Sequence, residues 1–219
     1  MRNGLRFISF DLDGTLVDLE YNDLIWFKEI PELVAQKKQI SFNESRQWVK
    51  EEYNKLGEHN LDWYDIKYWI SYFGLEVSYQ TILNKYASEV KIFADVFPTL
   101  DELKKDFELI IITAMPREFL TPKIKKLENY FSLTFSALTD FKKLKSSTVY
   151  SKISTILKVD PEQILHIGDH WEFDYCSARQ AGLQALYLDR SKTRKEKEVI
   201  YNLEEIKIKI KDKDLNSFK

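Results

Sequence analysis

Residues 7–18 read FISFDLDGTLVD. The apolar run is a short buried strand, in which Leu5, Phe7, Ile8 and Phe10 are little interrupted by polar groups. It ends in Asp11 and Asp13, with one residue between them, followed at once by Gly14 and Thr15. Asp and Gly turn chains at strand ends. The stretch is therefore either a plain turn or a pair of carboxylates set out for chemistry, and the rest of the chain decides which.

From Asp18 to about Val90 no strand pattern occurs, and helical periods repeat. Leu24, Phe27, Ile30, Leu33 and Val34 recur at three- and four-residue steps, with Pro31 expected to kink or break the segment. Ser41 and Glu44 form a capping-box pattern before Val49, Tyr53 and Leu56, and Gly57 closes that helix. A third helix carries Trp63, Ile66, Trp69, Ile70 and Phe73 up to Gly74, and a fourth starts near Ser78 with Ile82, Leu83, Tyr86 and Val90. Together they make a compact helical unit.

Beyond it, helix and strand alternate. Helices are expected near 99–105, 117–128, 147–158 and 172–181, and strands over 107–113, 131–136, 163–168 and 183–188. VIY and a Lys-rich helix finish the chain. Alternation of this kind implies a parallel sheet with both faces covered. The domains expected are an α/β core over 1–17 and 92–219 and a helical insertion over 18–91.

Bulk properties set limits. The 219 residues are 44% apolar and 31% charged, ordinary material for a packed globular domain. A net charge of -2 gives no general attraction to nucleic acid or an anionic membrane. Cys176 is the only cysteine, which excludes an internal disulfide and a multi-thiolate metal site. No apolar run approaches a membrane span and no leader pattern opens the sequence, so the cytoplasm is the expected location.

In a parallel sheet, ligands bind beyond the carboxyl ends of the strands. Asp11 and Asp13 follow the first strand, Thr113 ends the second, Lys142, Lys143 and Lys145 follow the third, and Asp169 ends the fourth with Asp174 five residues on. All gather at one rim. Carboxylates crowded there repel one another and call for a hard cation, and an all-oxygen set favours Mg2+ over zinc. A hydroxyl and a lysine beside them suit a phosphoryl group. One aspartate can act as nucleophile, and another two residues on can act as acid and then base.

At these residues the chain resembles the haloacid dehalogenase superfamily, in its phosphatase-like branch. DLDGTLVD is similar to that family's opening motif, IIITAMP to its threonine motif, and HIGDHWEFD to its acidic motif, with SARQAGLQALYLDR after it. The resemblance spans the chain and implies a Rossmann-like core with an inserted helical cap. It implies that Asp11 attacks phosphorus and that Asp13 protonates the leaving group and then activates water. Asp11, Asp169 and the backbone carbonyl of Asp13 would bind Mg2+, with Asp174 a direct or water-mediated ligand or a group orienting the lysine. Gly14, Thr15, Thr113, Ala114 and the lysine would hold the phosphate of a small phosphorylated substrate. Asp13 favours phosphoester over carbon–halogen chemistry, because halide leaves unprotonated and an alkoxide needs an acid. The third motif departs from the family in lacking a proline: FKKLKSSTVY offers Lys142, Lys143 and Lys145, and spacing to Asp169 favours Lys145, with Ser146 or Ser147 then capping the next helix.

Other residues have plainer readings. His166 is expected as a packing histidine, His170 as a surface one, Arg117 as a solvated first-turn arginine and Cys176 as buried. The aromatic residues of the insertion read as bundle core, with Tyr21, Asn22 and Trp26 the candidates for substrate contact. Rival functions are a phosphomutase, a phosphonate hydrolase, or a non-catalytic binder of phosphate ligands. A monomer or homodimer is expected, with no nucleic acid or membrane partner.

Overall fold

The computed structural model describes residues 4–211; the two ends of the expected core domain, including the tail beyond Lys211, lie outside them. Six strands form one sheet in the order β3-β2-β1-β4-β5-β6. They are β1 (Phe7–Phe10), β2 (Glu108–Thr113), β3 (Leu133–Ser136), β4 (Ile164–Gly168), β5 (Gln184–Leu188) and β6 (Val199–Ile200), and each neighbouring pair is parallel. The chain runs outward from β1 through β2 to β3, then returns to pair β4 with the other side of β1. That reversal opens a crevice at the carboxyl ends of β1 and β4, where open α/β sheets place ligands.

The near-continuous apolar strands follow from burial on both sides. Phe7, Ile110 and Ile112 pack with Val149, Tyr150 and Ile153 of α8 (Ser147–Leu157) and Ala178 of α9 (Ser177–Gln180). Their alternates Ile8, Phe10, Leu109 and Ile111 pack in a second cluster. That cluster takes in α6 (Val96–Leu103), α7 (Arg117–Ile124) and α10 (Ile206–Lys211). The helix expected over 117–128 stops four residues early. Pro122 stands inside it, and the following turns close through three-residue bonds such as Leu127 N–H to the Ile124 carbonyl.

Between β1 and β2 lie α1 (Glu20–Leu24), α2 (Ile30–Lys38), α3 (Phe42–Leu56), α4 (Ile66–Tyr72) and α5 (Tyr79–Lys85). Ser41 and Glu44 form the expected capping box, and Gly57 stands at the end of α3. Pro31 does not break the first segment. It falls in the first turn of α2, just after a π-helical turn over Ile25–Glu29 that joins α1 to α2 without a gap. The wider π-turn relieves the clash a proline ring makes with the preceding turn. Trp63 lies outside α4, in a separate 3-10 turn over Leu61–Tyr64. Paired backbone brackets this helical stretch: Asp18 N–H donates to the Lys91 carbonyl (3.0 Å) and Phe93 N–H to that of Leu16 (3.1 Å).

Among the described residues, no helix is long and apolar enough to cross a membrane.

Candidate active site

The loop after β1 is wound tightly, with Gly14 N–H donating to the Val17 carbonyl and Leu16 N–H to that of Leu12. Gly14 has φ +80, and a Cβ there would lie 2.2 Å from a carboxylate oxygen of Asp169. Gly168 meets the same limit: a Cβ would lie 2.2 Å from the Asp174 carboxyl carbon. Only glycine at both positions lets the β1 and β4 ends bring their carboxylates together.

Asp11, Asp169 and Asp174 each place an oxygen within 4.8 Å of the others. Lys145, on the loop before α8, is buried among them. Its Nζ donates to Asp11 Oδ1 at 2.6 Å and to Asp174 Oδ1. Lys142 and Lys143 are exposed, and Lys142 has a left-handed backbone. Ser146 holds the N-cap position of α8, without a side-chain bond to the helix.

Burial raises the Asp11 carboxyl well above the usual range, and the charges of Asp174 and Asp169 add to this against Lys145. Asp169 is pushed up to about 6 by burial and by Asp174, with a hydrogen bond from Thr15 Oγ1 (2.9 Å) opposing. Burial also pushes Asp174 upward, but Lys145 and His166 outweigh it and hold this carboxyl below its ordinary value. Lys145 is raised, since the two aspartates outweigh its desolvation.

Asp174 has both oxygens engaged. Oδ1 faces Lys145 and His166 Nε2 (3.1 Å), and Oδ2 accepts from the His170 N–H (2.9 Å). His166 is buried as expected, yet it is more than packing. Burial depresses its pKa, so the ring is neutral. Its Nε2–H then donates to the carboxylate, and Nδ1 accepts from the Ser9 hydroxyl at 2.8 Å. A buried chain therefore runs from Ser9 through His166 and Asp174 to Lys145 and Asp11.

Asp13 turns elsewhere. Its Oδ1 accepts from Lys123 of α7, a fully buried lysine that also donates to Asn22 Oδ1 at 2.9 Å. The sequence reading missed Lys123, because Lys123, Lys125 and Lys126 look alike on the page; its one signal is its place beside Pro122 between apolar turns.

Thr113 is buried at the end of β2 and accepts from the Met115 N–H (3.2 Å), and Ala114 is half-buried beside it. Thr15 commits its hydroxyl to Asp169. Tyr21 is buried, with its hydroxyl on the Leu83 carbonyl (3.3 Å), and lines no described cavity. Trp26 does line one. It stacks on Phe119 at 5.4 Å and, with Asn22, Trp63, Tyr64 and Met115, walls a cavity of about 290 Å3. Asn22 touches Lys123, and Met115 touches Thr113, so this cavity adjoins the carboxylates. Trp69 and Phe73 are bundle core as expected; Tyr64, partly buried, packs against that core and also lines the cavity, whereas Trp63 lines the cavity without joining the core.

Arg117 is half exposed but not free, since it forks onto Asp140 (2.7 and 2.8 Å). Cys176 is exposed, against expectation. The segment Trp171–Cys176 is a π-helical turn that directs Phe173 and Asp174 inward and carries Cys176 to the surface.

A family model described as haloacid dehalogenase-like hydrolase matches residues 5–182. The chain belongs to this family and is an enzyme of the hydrolase class. It is 24% identical over 165 residues to the GMP/IMP nucleotidase YrfG of Escherichia coli, covering 74% of this chain and 73% of that protein. Its fold is that of an HAD phosphatase from Thermococcus onnurineus (TM-score 0.83, 23% identity, 94% of this chain and 98% of the other). The Bacillus subtilis putative HAD-hydrolase YfnB, solved bound to magnesium, has the same fold (TM-score 0.65, 18% identity, 94% and 99%).

Proposed function

We propose that the protein is a Mg2+-dependent phosphatase that hydrolyses a small phosphorylated molecule through an aspartyl-phosphate at Asp11. The observation that carries this reading is the arrangement at the crevice: three carboxylates within 4.8 Å, a single buried lysine among them, and a further carboxylate, Asp13, on the same loop as Asp11.

The donor set fits the cation. It is all oxygen, and one ammonium among three carboxylates leaves negative charge uncompensated. Asp11 and Asp169 would hold the metal, and Asp174, with both oxygens occupied, serves to hold Lys145. When bound, the cation offsets the charge gathered among carboxylates and phosphoryl oxygens.

Each residue then has a task. Lys145 and Thr113 hold phosphoryl oxygens. An Asp11 oxygen attacks phosphorus, the bond from phosphorus to the ester oxygen breaks, and Asp13 gives that oxygen its proton. Asp13 next takes a proton from water as the water attacks phosphorus, the bond to Asp11 breaks, and phosphate leaves. The helical insertion, residues 18–91, acts as a cap over the crevice, with the backbone pairs at Asp18–Lys91 and Leu16–Phe93 as its pivot.

The aromatic cavity gives the leaving group a place. Trp26, Trp63 and Tyr64 suit a planar group, and none of the residues lining the cavity is cationic, which disfavours a second anion on the substrate. With the E. coli relative named for GMP and IMP, nucleoside monophosphates are the first substrates to test. The experiment is phosphate release across a panel of phosphate monoesters, in Mg2+ and in EDTA. Mg2+-dependent release is expected, strongest for esters with planar leaving groups. No release from any ester would favour a non-catalytic binder, and equal release in EDTA would remove the metal.

A further inference from the structure

Lys123 is an unusual residue to bury. Its side chain is wholly inaccessible, and desolvation pulls its pKa down. Replacing a buried ion pair by apolar side chains is often neutral or stabilising, so such a pair is weak evidence for a stability role. The surroundings of Lys123 are specific. The ammonium bonds Asp13 Oδ1 and Asn22 Oδ1, and it lies 5.3 Å from the Tyr21 ring centroid and 5.9 Å from that of Phe119. Those partners belong to three elements: the loop after β1, the first helix of the insertion and α7 itself. The other oxygen of Asp13, Oδ2, is buried and has no hydrogen-bond partner among the described residues.

From this geometry we propose that Lys123 is a positioning residue for acid catalysis. It pins Asp13 through Oδ1 and leaves Oδ2 as the oxygen that carries the proton to the leaving group. Asn22 completes the device: by fixing the ammonium it makes the orientation of Asp13 depend on the seat of the first insertion helix. The inference rests on the phosphatase reading and adds to it a residue, a chosen oxygen and a link between insertion and acid.

The dependence of rate on the leaving group tests it. A dinitrophenolate leaves without a proton, whereas an alkoxide needs one. Wild type, Lys123→Met and Asn22→Ala are assayed for kcat/KM on 2,4-dinitrophenyl phosphate and on a simple alkyl phosphate. Lys123→Met is expected to lose about 100-fold on the alkyl ester and no more than about threefold on the dinitrophenyl ester, within the range that a positioned general acid supplies. Asn22→Ala is expected to move in the same direction by a smaller factor. A merely structural role would lower both esters alike. Equal losses on the two esters, in whichever of the two variants folds, would overturn the inference and leave the phosphatase reading standing. A wild type inert toward both esters would overturn the two together.

Discussion

Asp11 and Asp13 lie two residues apart on one loop, yet they meet different lysines. Lys145 bonds Asp11, and Lys123 bonds Asp13. In the proposed mechanism that division accounts for two neighbouring carboxylates taking unlike tasks. Lys145→Met would strand Asp11 and Asp174 in a buried site. It is expected to lower phosphate release at least about 100-fold and to lower unfolding free energy in EDTA by about 3 kcal/mol, read by urea titration. The aspartates, Thr113 and the choice of Lys145 were legible in the sequence because each stands at a strand end or in the loop after one, where topology fixes direction. Lys123 was not. A lysine in mid-helix reads as solvated, and only the packing of α7 against the first insertion helix reveals otherwise. Tyr21 misled for a related reason: it is close in sequence to the opening motif, but helix phase turns it into the core.

At the scale of elements, buried parallel strands announce themselves as apolar runs, and the five expected strands lie close to their expected bounds, whereas the two-residue β6 had not been read as a strand. The α3 boundaries were equally legible, since a capping box and a closing glycine are local signals. Ser41→Ala is expected to destabilise the protein by about 1 kcal/mol in thermal or urea unfolding, with little effect on turnover. π-Helical turns carry no such signal. The one over Ile25–Glu29 absorbs Pro31, and the one over Trp171–Cys176 turns Cys176 outward. Both come from how the chain must pack rather than from the propensities of its residues.

At the scale of the molecule, the sheet reverses its winding beside β1, and the insertion is spliced in directly after that strand. Asp11 thus stands at the crevice, beside the carboxylate cluster proposed to hold the cation and next to the start of the helical stretch proposed as the cap. If Mg2+ binds there as proposed, its binding is linked to folding. At a hundredfold excess over its dissociation constant, it is expected to stabilise the protein by about 2.7 kcal/mol. For a chain of this size that is a rise of roughly 5–10 °C in Tm. Asp169→Asn is expected to lose most of the rise, which a thermal melt in Mg2+ against EDTA would read. The alternating strands and helices made this architecture legible from the sequence. The cavity between insertion and core was not, because Trp63 and Tyr64 reach it from a short 3-10 turn rather than from the helix that their spacing suggested.

In the proposed mechanism Asp11 carries the phosphoryl group. The direct measurement is rapid acid quench of the enzyme during turnover in Mg2+, followed by peptide mass analysis. The expected result is a phosphoryl group on the peptide containing Asp11, absent in Asp11→Asn, with phosphate release lost in that variant. Undiminished turnover by Asp11→Asn, or a phosphoryl group found on another residue, would rule out Asp11 as the nucleophile.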